Sequence, residues 1–286
     1  MEIIVGKYSG FCNGAKTAVR KACELLNGDV FYSVGEIIHN EVVVNNLKQK
    51  GLIVVDSIND IPNGSKVIVR AHGESIDFYQ EAKKRQFELS DLTCGRVGLV
   101  HQKILSRKND FIIIIGKKTH PETIAHNSYA KDSVIVEDVS DVAYTYQKFL
   151  DSGKESVYIL AQTTFSRDLF ERLVSEIKKV FVGVEILVDK TICDATKIRQ
   201  EEAMEIARRV DKMIVIGGKN SSNTKELYVV TKKLCNETYL IQTKEDIEKE
   251  WFNEDDVVGI TAGASTPPEV INDVVQFLES IYKRKK

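Results

Sequence analysis

Three cysteines stand at matching places along the chain. Cys12, Cys94 and Cys193 each follow a β-like run and precede a helix-like one, and they lie 82 and 99 residues apart. A second junction of this kind follows each cysteine after 27, 26 and 28 residues, at His39, His120 and Ser221. A third follows after 60, 69 and 72 residues, at His72, Thr163 and Ser265. Three thiolates around one centre suit a soft metal, either an iron–sulfur cluster or a zinc ion, with one position left for a ligand other than cysteine. Spacing does not choose between them, since the chain has neither a CxxC pair nor the compact ferredoxin run. The remaining cysteines read as small apolar core residues: Cys23 inside a helical pattern near Leu26, and Cys235 at the start of a strand in KLCNET.

The polar residues at the other junctions offer two further kinds of chemistry. In KKTHPET, Pro121 suits the first position of a helix and puts Glu122 in its first turn. Glu122 then either caps that helix or forms with His120 an acid–base pair able to deliver protons. Thr163, in QTTFS, either caps the helix that follows or belongs to the site. GGKNSSNT at 217–224 and GITAGASTPPEV at 259–270 are glycine-rich turns leading into helices, where free backbone N–H groups gather anions. His39 and His72 add contacts of the same kind. No GxxxxGK loop is present, so nucleotide hydrolysis is not supported.

These residues need elements to position them. Short aliphatic runs recur through the chain, among them EIIV at 2–5, LIVV at 52–55, FIIII at 111–115, SVYIL at 156–160, KMIVI at 212–216 and VVGI at 257–260. Most are apolar throughout rather than alternating, as parallel strands covered on both faces require. Helical patterns separate them: 14–28 puts Ala15, Val19, Ala22 and Leu26 on one stripe, and 196–210 behaves alike. The alternation predicts an α/β fold with crossover helices. The cysteine period predicts three similar units of mostly parallel sheet in a pseudo-threefold arrangement, at 13–94, 95–191 and 192–286, the last completed by a strand from 1–12.

Composition narrows the function classes. The 286 residues carry 40 basic and 42 acidic side chains, a formal net charge of −2, which favours neither nucleic acid nor an acidic membrane as a partner. Five cysteines, an odd number, fit a reducing compartment better than a disulfide framework. MEIIVGKYSG lacks the features of a signal peptide, and FIIIIG is far too short to span a bilayer. A soluble cytoplasmic protein is expected, with the basic tail YKRKK at 282–286 a solvated end.

Taken in order, GFCNGAKTAV, GEIIHN, RAHGE, DLTC with VGLVH, THPET, AQTTFS, TICDATKIRQ, SSNT and TAGASTPPE closely resemble the LytB/IspH family over essentially the whole chain. The resemblance implies one 4Fe–4S cluster held by Cys12, Cys94 and Cys193 at the centre of three α/β units. It implies a fourth iron without a cysteine, which binds the C4 hydroxyl of (E)-4-hydroxy-3-methylbut-2-enyl diphosphate. Two protons and two electrons from an external donor such as ferredoxin or flavodoxin then remove that hydroxyl as water through an allyl-type intermediate. The products are isopentenyl and dimethylallyl diphosphate. Carried over by motif, Glu122 delivers protons with help from Thr163 and His120, while His39, His72, Ser221, Asn223 and Ser265 hold the diphosphate and Ser222 lies close by. Two positions depart from the family pattern: Gly95 stands where proline is usual after the second cysteine, and Lys117 where histidine usually follows Gly116. A non-catalytic iron–sulfur or zinc regulatory protein would keep the thiols without needing Glu122, Thr163 and the anion junctions together.

Overall fold

The aliphatic runs become strands in a computed structural model that describes residues 1–283. The last three residues of the basic tail, 284–286, lie outside the described residues. The chain opens with β1 (Glu2–Val5) and α1 (Asn13–Leu25). A first sheet follows, from β2 (Phe31–Val34), β3 (Leu52–Val55), β4 (Lys66–Val69) and β5 (Glu88–Asp91), with α2 (Glu41–Gln49) and α3 (Ile76–Lys84) between strands. After α4 (Gly95–Ser106) come β6 (Phe111–Ile115), β7 (Ser133–Val136), β8 (Ser156–Ala161) and β9 (Glu185–Val188), separated by α5 (Pro121–Ser128), α6 (Asp141–Ser152) and α7 (Arg167–Val180). The last third holds α8 (Asp194–Ala207), β10 (Lys212–Ile216), α9 (Ser222–Lys232), β11 (Thr238–Ile241), β12 (Val257–Ala262) and α10 (Pro268–Lys283).

The three sheets share one topology. Their orders are β3-β2-β4-β5, β7-β6-β8-β9 and β11-β10-β12-β1, and every pairing is parallel. In each, the second strand flanks the first on one side and the third flanks it on the other. The fourth place in the last sheet is filled by the N-terminal strand, with Glu2 opposite Val257 and Val5 opposite Ile260. An order of this kind reverses direction between its first and third strands, and a crevice opens beyond their carboxyl ends. The loops at those ends carry His39 and His72, His120 and Thr163, and Ser221 and Ser265.

Packing divides the chain into two compact units. One comprises Met1–Val19, Ile38–Leu47 and Asp194–Lys286; the other comprises Arg20–Ile37 and Lys48–Cys193. Within the second, β6 is buried at all five residues because helices cover both faces. Ile113 and Ile115 pack with Phe149, Leu173 and Ile177 of α6 and α7, while Ile112 and Ile114 pack with Val100 and Ile104 of α4. Each fully buried aliphatic side chain contributes about 1.5–3 kcal/mol. The first unit repeats the scheme: Ile214 and Ile216 meet Val274 and Leu278 of α10, and Met213 and Val215 meet Ala203, Ile206 and Leu227.

Several local expectations shift. Burial on α1 falls on Ala15, Ala18 and Ala22, with Leu26 buried just past its end and Val19 only half-buried. The edge strands β1, β5 and β9 are partly exposed, since each has one neighbour only. Cys235 lies in the turn ahead of β11 rather than at its first residue, and packs into the core as a small apolar group. No helix among the described residues is long and apolar enough to cross a membrane.

Candidate functional site

The three cysteines occupy one repeated seat. The N–H of Cys12 donates to Ala264 O at 3.0 Å, that of Cys94 to Ala71 O at 3.0 Å, and that of Cys193 to Thr163 O at 2.8 Å. Each acceptor lies two residues past the end of the third strand of its sheet, after Ala262, Val69 and Ala161. Each cysteine also stands immediately before a helix, namely α1, α4 and α8. The free N–H groups of a helix start favour a negatively charged sulfur, and Ala15 N already approaches Cys12 Sγ at 3.4 Å. All three are free thiols and half-buried. Soft, unoxidised donors in three equivalent seats fit an iron–sulfur cluster. The register also refines the repeat: Thr163 corresponds to Ala71 and Ala264, one residue ahead of His72 and Ser265.

Sequence reasoning missed two residues that hold the Cys12 loop. Arg199, buried on α8, donates from Nε to Tyr8 O at 2.9 Å and from Nη2 to Gly10 O at 2.7 Å. Glu202, one turn along, accepts from Lys7 N at 2.8 Å and Tyr8 N at 2.9 Å. Gly10 turns the chain with φ +88°, and a Cβ there would stand 2.8 Å from Ile271 Cδ1. The available signal was a charged pair three residues apart on the helix that follows a candidate ligand.

His120, Glu122 and Thr163 come together as a proton-handling group. His120 lies five residues past Ile115 and caps α5, its Nδ1 accepting from Glu122 N at 3.2 Å, and Pro121 takes the first helical position. Glu122 therefore does not act as the cap. Its carboxylate, 2% exposed, accepts from Thr163 N at 2.6 Å and Thr163 Oγ1 at 3.0 Å. Thr163 is not a cap either, because Ser166 caps α7. Burial pushes the Glu122 carboxyl up. The pairing with His126, the charges of His126 and His120 and the Thr163 N–H outweigh it and hold the group below the usual carboxylate range. The backbone of Thr163 thus joins Glu122 to Cys193, its N–H donating to the first and its carbonyl accepting from the second. His72 stands edge-on to His120, with ring centroids 5.3 Å apart.

The first unit builds an anion cradle. Ser221, five residues past Ile216, caps α9 and accepts from Thr224 N at 3.2 Å, which leaves Ser222 and Asn223 in the first turn. His39 stands five residues past Val34, just before α2, and its carbonyl accepts from Ser265 Oγ at 3.0 Å. Asn223 Oδ1 accepts from Ala264 N at 2.9 Å, so the residue whose carbonyl seats Cys12 also fixes Asn223 through its N–H. Asn223 Nδ2 is buried without a partner among the described residues, a donor awaiting an acceptor. Gly218 is needed here, since a Cβ would stand 2.5 Å from His39 O. The structure thus groups Cys12, His39, Ser221, Ser222, Asn223 and Ser265 in one unit, and Cys94, Cys193, His72, His120, Glu122 and Thr163 in the other.

Residues 3–279 match the model of the LytB protein family. A 4-hydroxy-3-methylbut-2-enyl diphosphate reductase of Clostridioides difficile is 38% identical, the match covering 98% of this chain and 100% of that protein. The reductase of Aquifex aeolicus is 37% identical over 98% and 97% of the two chains. A solved structure of (E)-4-hydroxy-3-methyl-but-2-enyl diphosphate reductase superposes with a TM-score of 0.70 at 36% identity, over 98% of this chain and 100% of that one. The corresponding reductase structure from Plasmodium falciparum gives a TM-score of 0.85 at 27% identity, over 100% and 99%. With the three cysteine seats, the proton group and the cradle all carried on sheets of one topology, the chain belongs to the LytB protein family, a family of reductases.

Proposed function

We propose that the chain reductively dehydroxylates (E)-4-hydroxy-3-methylbut-2-enyl diphosphate to isopentenyl and dimethylallyl diphosphate, taking two protons and two electrons from solvent and an external donor of the ferredoxin or flavodoxin kind. The repeated seat of Cys12, Cys94 and Cys193 carries this reading, because a core thiol has no need of the same backbone partner three times. Those cysteines would hold a 4Fe–4S cluster, which when bound supplies the electrons and an iron site open to the substrate hydroxyl. We assign three units to 13–94, 95–191 and 192–286, the last with the strand from 1–12, arranged pseudo-threefold about that cluster.

The protein's own groups do the rest. Ser221, Ser222, Asn223 and Ser265 with His39 and His72 bind the diphosphate through neutral donors, imidazoles and the start of α9, which spares a nearly neutral protein a basic pocket. Glu122 donates a proton to the departing hydroxyl, and Thr163 and His120 orient its carboxyl. A carboxyl held ionised before substrate arrives has to be loaded with that proton first.

Anaerobic reconstitution followed by iron, sulfide and turnover measurements tests the reading. About four irons and four sulfides per chain, with release of both isomers from the allylic diphosphate, are expected. Zinc alone, or a full cluster without turnover under a competent reductant, would overturn it. Glu122→Gln should keep the cluster and substrate affinity and lose about a hundredfold or more in kcat. Cys94→Ser should lose the cluster absorption.

A further inference from the structure

One turn along α5 from Glu122 lies His126, completely buried, with Nε2 3.3 Å from Glu122 Oε1 but not aligned as a hydrogen bond. Its ring stands edge-to-face with that of His101 on α4, the centroids 5.0 Å apart at 80°. His101, 7% exposed, stacks on Tyr129 at 4.1 Å. His101 and Tyr129 also line an open cleft of about 500 Å³ together with Tyr79, Asp91, Thr93 and Gly98. Gly73, at φ +75°, leaves room for the His101 ring: a Cβ there would stand 2.8 Å from its Cε1. His126 Nδ1 and His101 Nε2 are buried and lack a hydrogen-bond partner among the described residues. Glu122, His126, His101 and the cleft therefore form a contiguous line of titratable groups, of which the dehydroxylation as set out above uses only the first.

We propose that His126 and His101 carry protons from this cleft to Glu122 and recharge its carboxyl between turnovers. The inference rests on the proton-donor role assigned to Glu122. A neutral imidazole offers an N–H on one nitrogen and a lone pair on the other, so it takes a proton on one side as it gives one on the other. In each passage one proton enters His101 from the cleft, one moves from His101 to His126, and one moves from His126 Nε2 to Glu122 Oε1. The carboxyl becomes neutral, each ring ends with the charge it began with, and no electron moves. Burial, followed by the charge of His126, lowers His101 to about 4, so this ring is neutral at working pH and passes protons without storing charge. His126 and His101 are positioning and relay residues that act through Glu122.

His101→Ala and His126→Gln in the cluster-loaded protein test the relay. Both variants should keep cluster absorption and KM and lose about tenfold or more in kcat. Imidazole added to His101→Ala should fill the lost ring's space, restore most of the rate and raise the melting temperature, with neither effect on wild type. The relay is overturned if kcat in both variants stays within about twofold of wild type at saturating substrate and reductant. It is equally overturned by a loss in His101→Ala that imidazole does not reverse, and this arm decides alone if His126→Gln does not fold. Wild-type turnover with an inactive Glu122→Gln upholds the dehydroxylation whatever the histidine variants do, whereas a wild type without turnover overturns both ideas.

Discussion

At Gly95, where the family pattern has proline, the backbone already accepts one. Gly95 is the first residue of α4, a position whose N–H has no partner inside the helix, and Cys94 before it has φ −57° and ψ 132°, the extended geometry that proline demands of its predecessor. A Cβ at Gly95 would meet nothing within 4 Å. Gly95→Pro should therefore raise stability by about 0.4–1 kcal/mol through the unfolded chain and leave cluster content unchanged. A lower urea midpoint or a lost cluster would contradict that. The roles of single residues were only partly legible in the sequence. Cysteines at strand ends announce themselves by type and context. The bonds from Thr163 to Glu122 join positions 41 residues apart, and no local pattern reports such a contact. For the same reason Thr163 also fitted the role of a helix cap, although Ser166 fills it.

At the scale of elements, α8 departs from a simple amphipathic helix because its buried face includes Thr196, Arg199 and Gln200 beside Ala203 and Ile206. Aliphatic periodicity finds such a helix but not its task, which is to grip the loop ahead of Cys12. Arg199→Lys keeps the charge and loses the forked geometry that reaches Tyr8 O and Gly10 O together. The change should cost about 1.5–3 kcal/mol, the scale of hydrogen bonds to a charged group, and slow cluster uptake, read as reconstitution kinetics followed by absorbance. Unaltered uptake and melting would remove Arg199 from this role. Strands were the most legible elements, since β6 and β10 are buried throughout and apolar at every residue but Lys212. The edge strand β5, ELSD, was the least, because a strand with one neighbour and an exposed face needs little apolar character.

For the molecule as a whole, acid should be the weak side of stability. Glu122, Asp141 and Asp189 are each pushed up by burial and then pulled further down by their partners: His126, His120 and Thr163 N–H for the first, Lys118 and backbone N–H groups for the second, Lys103 and Tyr158 for the third. A carboxyl with a lower pKa folded than unfolded adds stability above its unfolded value and loses it as pH falls through the folded one, so the loss begins below about pH 4. Glu74 works the other way, its burial outweighing Arg70, and offsets part of that slope. Urea midpoints should fall between about pH 6 and pH 3, and Glu122→Gln should flatten the fall; a midpoint independent of pH would contradict this. The recurrence of three similar parallel-sheet units was legible from the cysteine period, though their common strand order was not. The division into two packed units was not, because packing between elements distant in the chain leaves no period to read.

The place of β1 has a consequence for how the chain comes into being. Its partner β12 is made more than two hundred and fifty residues later, since Glu2 pairs with Val257, and the carbonyl that seats Cys12 belongs to Ala264. Of the three seated thiols, the first to be made is therefore the last to gain its backbone partner. The pairing of β1 with β12 is thus among the most non-local contacts of the fold, of the kind that forms slowly.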